Sequence, residues 1–258
     1  MGLAGLYLTS AFSVPAYFYL HTDWLTYAKK SLHFDRGNLN RVRRIMRVFY
    51  KQFDGVFVLN SDHEEWLTGK DIGLEEYQVF RTAHWVDQNV KETDLPNPVS
   101  AIPGNATVIL YAGRISQEKG VMEIPDIISN VKSNVPGIVT VIAGKGPAEN
   151  ALKSELPSAI FTGWANREQL FALYRRADLL LLPSKFDTFS CTALEAMSCS
   201  LPVVAYNVKG PKDIIQNGVS GFLCRTKAEM SECISNDCAN SKIIQTTRGQ
   251  AMKRAMQY

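Results

Sequence analysis

Short apolar runs alternate with helix-period stripes from one end of the chain to the other, and this alternation constrains the fold more than any other feature. It is the pattern of a parallel sheet covered by helices. The runs are Ala16 to Leu20, Gly55 to Leu59, Val79 to Thr82, Thr107 to Ala112, Ile138 to Ala143, Ile160 to Thr162, Asp178 to Leu182, Val203 to Tyr206 and Gly221 to Cys224. Between them Val42, Ile45, Met46, Phe49 and Phe53 recur at helical spacing, as do Leu170, Leu173 and Tyr174. Ser61 with Glu64, and Asn166 with Gln169, read as helix starts. The expected class is α/β.

Asp87 to Asn105 holds Pro96, Pro98 and Pro103 with few apolar residues, so it reads as a connection. The expected organisation is a first unit over 1–86, a linker over 87–105 and a second unit over 106–258. The second carries six strand signals, enough for a complete Rossmann-like domain, and the first carries three. The first unit also lacks a Gly-rich first βα turn. The expectation is therefore a partial first domain whose amino-terminal half is missing or supplied elsewhere, with sheet edge and apolar helix faces left exposed.

Among 258 residues, 28 Lys and Arg stand against 25 Asp and Glu. The balance of +3 is too small for a general nucleic-acid footprint, so no nucleic-acid partner is expected and any anion site must be local. The cysteines (Cys191, Cys199, Cys224, Cys233, Cys238) form no CxxC pair, which points to free thiols in a reducing, cytoplasmic setting. Met1 to Leu20 is uncharged but lacks a basic leader and is divided by Pro15, so it reads as neither signal peptide nor membrane span. The segment RVRRIMRVFYK carries Arg41, Arg43, Arg44, Arg47 and Lys51 without an acid. Its plainer reading is a solvated face, and its alternative is peripheral contact with anionic lipid at the inner face of a membrane.

The run TVILYA leads into Gly113-Arg114-Ile115-Ser116-Gln117-Glu118-Lys119-Gly120. In an open parallel sheet ligands bind beyond the carboxyl ends of strands. Two cations there suit a diphosphate, Arg114 as a fork and Lys119 as a movable point charge. The order of Lys and Gly is not that of a Walker loop, and the plainer alternative is a solvated turn. Farther on, PSKFDTFSCTALEAMSCSLPVVA places Asp187 in a loop and Glu195 eight residues later in an apolar helical stretch. An ionised Glu195 could accept both hydroxyls of a ribose diol, or could serve as a structural acceptor of N–H groups. Asp187 could instead cap the helix. No D-x-D pair of the kind that holds a metal on a sugar diphosphate is present, so no metal is expected. His33 and His63 read as surface or packing residues, and His84 as packing or cleft-lining.

These segments resemble the retaining GT-B glycosyltransferases of the large family-4 (glycosyl transferases group 1) type. GRISQEKG is similar to that family's phosphate loop and DTFSCTALEAMSCSLPVVA to its spaced-carboxylate motif. YLHTDW, RTAHWVD, AGKGP, FTGWANREQLFALYRRADLLLLPS, GPKDII and NGVSGFL follow in family order, covering most of Ala16 to Leu223. The resemblance implies two Rossmann-like domains and a UDP- or GDP-type sugar donor held mainly by the carboxyl-terminal one. It implies that Arg114 and Lys119 neutralise the diphosphate, that Glu195 takes the ribose hydroxyls and that Asp187 holds the donor sugar. The N–H groups of Phe189 and Ser190 would face sugar and phosphate, Gly163 and Trp164 would lie near the base, and His21 would reach the sugar from the other domain. In such a mechanism the leaving diphosphate helps deprotonate the acceptor.

Three positions depart from the family pattern. Asp187 stands where Glu is usual, and Ser190 and Ser200 stand where Gly is usual, at a cost of about 1 kcal/mol wherever φ is positive. The resulting expectation is a glycosyltransferase acting on a glycolipid, polysaccharide or other glycan acceptor. The alternatives are a nucleotide-sugar-binding fragment or half of a split enzyme, and a sugar-nucleotide epimerase; with only a partial first domain, the chain by itself is expected to bind nucleoside diphosphate weakly and to transfer no sugar.

Overall fold

The computed structural model describes residues 2–30, 32–84, 102–103, 106–135, 137–239 and 241–258. They fall into two units, Met1–His84 and Trp85–Tyr258. Of the expected connection, only Ile102 and Pro103 lie among the described residues.

The first unit contains α1 (Gly2–Phe12), β1 (Tyr17–Tyr19), α2 (Trp24–Lys30), α3 (Arg36–Tyr50), β2 (Gly55–Val58), α4 (Ser61–Thr68) and β3 (Val79–Arg81). The strands form a parallel sheet in the order β1-β2-β3, with Tyr17 opposite Gly55 and Val56 opposite Val79. On one side Val56, Val58 and Val79 pack with Met46 and Tyr50 of α3 and Leu67 of α4. Phe18 fits among the rings of Phe49, Tyr50 and Phe53 at centroid distances of 5.2–5.5 Å. Tyr7, Leu8 and Phe12 of α1 and Tyr17 of β1 are exposed.

Three details of this unit differ from the sequence reading. Ile45 is 68% exposed, because the inward face of α3 centres on Met46 and Tyr50. The cap of α4 is Asn60, whose Oδ1 accepts the His63 N–H at 2.9 Å, and Ser61 is the first helical residue. The five cations of RVRRIMRVFYK, on α3 and its C-cap, do not share one direction. Arg43 lies 3.7 Å from Asp71, and Arg47 and Lys51 flank Gly73, which leaves Arg41 and Arg44 beside Ile45 and Val48 on the exposed side. No described helix is long and apolar enough to cross a membrane.

The second unit contains β4 (Thr107–Ala112), α5 (Ile124–Lys132), β5 (Ile138–Ala143), α6 (Glu149–Glu155), β6 (Ile160–Gly163), α7 (Arg167–Arg176), β7 (Leu179–Leu182), α8 (Cys191–Ser198), β8 (Val203–Tyr206), α9 (Pro211–Ile214), β9 (Phe222–Cys224), α10 (Lys227–Ala239) and α11 (Ser241–Ala255). Its sheet is parallel throughout, in the order β6-β5-β4-β7-β8-β9. Helices cover both faces, which is why the strands read as unbroken apolar runs rather than alternating ones. Ile124, Ile127, Ile128 and Val131 of α5 are fully buried at i, i+3, i+4 and i+7 spacing. Asn166 and Gln169 form the expected reciprocal cap of α7, at 2.8 and 3.0 Å. The chain advances outward from β4 to β6, then returns to β7 on the other side of β4. That reversal opens a crevice at the carboxyl ends of β4 and β7, the usual ligand position in such sheets.

Candidate functional site

The segment leaving β4, Gly113 to Gly120, is in close backbone contact with its neighbours at both ends. A Cβ on Gly144, after β5, would lie 1.9 Å from the Gly113 carbonyl oxygen, and one on Gly120 would lie 2.0 Å from that of Pro183. Both glycines also have positive φ, 141° and 70°. The loop from Gly113 to Gly120 is pinned by the buried Tyr111, whose hydroxyl donates to the Arg114 carbonyl at 2.7 Å. Burial, and then the charge of Asp187, hold the Tyr111 phenol far above its ordinary pKa, so it remains a donor. Arg114 stands at the rim, 65% exposed and 3.6 Å from Glu118. Lys119 extends across the crevice to within 3.7 Å of the Asp187 carboxylate.

Asp187 lies in the loop after β7, where its Oδ1 accepts the Thr188 N–H at 2.9 Å. It is not a helix cap. The residue at the start of α8 is Ser190, held left-handed at φ 71° and ψ 62° and buried. Glu195, on α8, receives the hydroxyl of Tyr174 on Oε2 at 3.2 Å. Burial raises the Glu195 carboxyl above the ordinary range, opposed by the Tyr174 hydrogen bond and by the charge of Arg167. Tyr174 is itself pushed well up, first by burial and then by Glu195.

These side chains border two adjacent hollows. The larger, about 910 Å³, is lined by Arg114, Lys145, Trp164, Arg167, Tyr174 and Glu195 among others. The smaller is lined by Lys119, Ser184, Asp187 and Ser190, and the two share Ala112, Gly113 and Thr192. Three cations against one carboxylate favour an anion in the larger hollow. Among the described residues no group of three or more His, Cys, Asp or Glu side chains converges.

The expected site residues are thus distributed in layers. Arg114, Trp164 and Glu195 meet in the larger hollow, and Lys119, Asp187 and Ser190 in the smaller. Gly163 ends β6 one residue before Trp164. The Phe189 ring is buried beneath, 6.1 Å from that of Tyr258. His21 belongs to the first unit, where it lies 4.1 Å from the Tyr19 ring and 6.1 Å from that of His84. The sequence reading missed Lys145, Arg167 and Tyr174. Lys145 sits between two glycines beyond a strand, a signal the sequence carries, whereas Tyr174 shares the period of an apolar stripe and Arg167 follows the helix cap at Asn166.

Residues 94–239 match the family model described as glycosyl transferases group 1. The GDP-mannose-dependent alpha-mannosyltransferase of Corynebacterium glutamicum is 34% identical over 120 residues, which are 46% of this chain and 28% of that protein. The D-inositol 3-phosphate glycosyltransferase of Mycolicibacterium smegmatis is 34% identical over 142 residues, 50% of this chain and 32% of that protein. The chain therefore spans about a third or less of the length of these relatives. Among solved structures, Anabaena HepE in complex with UDP and glucose superposes with a TM-score of 0.79 at 19% identity, covering 99% of this chain and 71% of that one. Sucrose-phosphate synthase from Thermosynechococcus elongatus gives 0.83 at 19% identity, covering 99% and 66%. The fold is α/β of the GT-B type.

Proposed function

The chain belongs to the glycosyl transferases group 1 family, and on that premise we propose that its second unit holds a nucleotide-diphosphate sugar at the carboxyl ends of β4 and β7 for transfer to a glycan or lipid acceptor with retention of configuration. The observation that carries the proposal is the gathering of Arg114, Lys119, Asp187 and Glu195 around two adjacent hollows. Ionised Glu195 accepts the ribose hydroxyls, and the base lies toward Gly163 and Trp164. Arg114 and Lys119 take the diphosphate, with the N–H groups of Phe189 and Ser190 toward phosphate and sugar. Asp187 holds sugar hydroxyls from the smaller hollow.

As the bond from the anomeric carbon to the diphosphate breaks, negative charge grows on the leaving oxygen. Arg114 and Lys119, brought onto the diphosphate oxygens, stabilise that charge. The acceptor hydroxyl forms the new glycosidic bond on the same face and gives its proton to the departing phosphate. No side-chain nucleophile is required. UDP and GDP donors are both in scope, since a UDP complex is known for Anabaena HepE and a GDP-mannose requirement is named for the Corynebacterium relative. A lipid acceptor would bring contact with anionic lipid through α3, where Ile45 and Val48 are 68% and 66% exposed beside Arg41 and Arg44. Co-sedimentation with phosphatidylglycerol vesicles, against phosphatidylcholine alone, tests that contact.

The test of the function is to incubate the chain with UDP- and GDP-sugars and an acceptor mixture, then analyse the nucleotide and sugar products. Acceptor-dependent release of nucleoside diphosphate with retained anomeric configuration supports the proposal. Binding without release indicates a binding module, and return of an isomerised sugar nucleotide indicates an epimerase.

A further inference from the structure

The two loops that meet in the crevice are joined twice, with opposite polarity. Lys119 on the first faces Asp187 on the second at 3.7 Å. Four residues beyond Lys119, Glu123 reverses the arrangement, since its Oε1 accepts from the ammonium of Lys185 at 2.5 Å, two residues before Asp187. The other Glu123 oxygen accepts the hydroxyl of Tyr206, at the carboxyl end of β8. The Lys185 ammonium lies 4.8 Å from the centroid of the Tyr206 ring, so Lys185 contacts both members of that pair. Tyr206 is held far above its ordinary pKa by burial and then by Glu123, which keeps it a donor. Glu123 and Lys185 are not among the residues lining either hollow.

The two links face different fates when a diphosphate enters. Lys119 must turn its charge to the phosphate oxygens, which weakens its hold on Asp187. The Glu123 link is not drawn upon. We propose that Glu123 is a positioning residue that, through Lys185 and Tyr206, keeps the Asp187 loop in register with the Arg114–Lys119 loop once the diphosphate has drawn Lys119 away. This rests on the donor-site reading given above, and assigns the discrimination of sugar-bearing from sugar-free nucleotide to a contact outside both hollows. Positional tolerance at such sites is small, because a shift of about 1 Å in a holding group can cost on the order of a hundredfold.

The test compares the full chain with Glu123→Gln, Lys185→Met and the double variant by calorimetric titration with UDP, GDP, UDP-glucose and GDP-mannose. Lys185 is 57% exposed, so its replacement gives a variant that does not depend on core packing. Each single variant is expected to weaken the preferred nucleotide sugar about tenfold while changing its parent diphosphate less than twofold, and the double variant to lose no more than either single one. Equal losses for both ligands would mark a merely structural role and overturn the proposal, as would additive losses or none. If the unaltered chain binds none of the four ligands, the donor-site reading itself fails.

Discussion

The hydroxyl of Tyr174, fully buried on α7, donates to Oε2 of Glu195 at 3.2 Å from beneath the larger hollow. This is the hydrogen bond that favours the ionised carboxylate in a place where burial disfavours it. Because the folded value is raised, Glu195 contributes stability that is fully present below the unfolded carboxylate range and is lost as pH rises through the folded value. Ligand binding has the opposite dependence, since the ribose diol needs the ionised form. Nucleoside affinity should rise with pH through the raised Glu195 value and then level off. Tyr174→Phe should move that rise to higher pH. Titrations with uridine and guanosine check it without phosphate ionisation, and an unmoved midpoint would count against the assignment.

Arg114→Ala and Lys119→Ala should each weaken nucleoside diphosphate binding by about 1.5 to 3 kcal/mol, the range for hydrogen bonds to charged groups. The bare nucleoside should be little affected. Because these cations meet the diphosphate charge, a chelator should leave binding unchanged. Calorimetry with both ligands, with and without chelator, reads all three outcomes.

Asp187→Asn should separate diphosphate from sugar. Lys119 no longer divides its charge with a carboxylate 3.7 Å away, so nucleoside diphosphate should bind two- to fivefold more tightly, about 0.4 to 1 kcal/mol for a partly exposed pair. The nucleotide sugar should bind more weakly because the group holding its hydroxyls has lost its charge. Parallel losses for both ligands would contradict the division of labour.

Ser200 is held at φ 58°, in the turn between α8 and β8. Left-handed backbone costs a side-chain-bearing residue roughly 1–2 kcal/mol, and glycine returns part of that through its freer unfolded chain. Ser200→Gly should therefore stabilise the protein by about 0.5–1 kcal/mol, read as a higher melting temperature. A lower one would mean that the Ser200 contact with Met252, at 3.4 Å, matters more than the backbone.

The sheet of the second unit was legible because both its faces are covered. Thr107–Ala112, Ile138–Ala143 and Val203–Tyr206 are the expected runs from end to end. The surface of α3 was less legible, since periodicity alone does not say which of two adjacent stripes meets the sheet, and Ile45 turned outward. In the site, Arg114, Lys119, Asp187 and Glu195 stood out as charges at strand ends or inside an apolar stretch. Tyr174 did not, because a buried phenol shares its periodicity with a core side chain and its polar end shows only once Glu195 is placed beside it. The Glu123 link was invisible for a related reason. Its partners are 62 and 83 residues away, and only the closing of the sheet between β4 and β8 brings them together.

The β4–β7 crevice is expected to bind a nucleoside diphosphate through Arg114 and Lys119. The most direct measurement is calorimetric titration of the full chain with UDP and GDP, each beside its own nucleoside, repeated on the Arg114→Ala/Lys119→Ala double variant. At least one diphosphate should bind ten times or more tightly than its nucleoside, a difference of about 1.4 kcal/mol. That difference should vanish in the double variant. Absence of binding to either diphosphate at millimolar concentration, or binding that the double variant leaves unchanged, would contradict the claim.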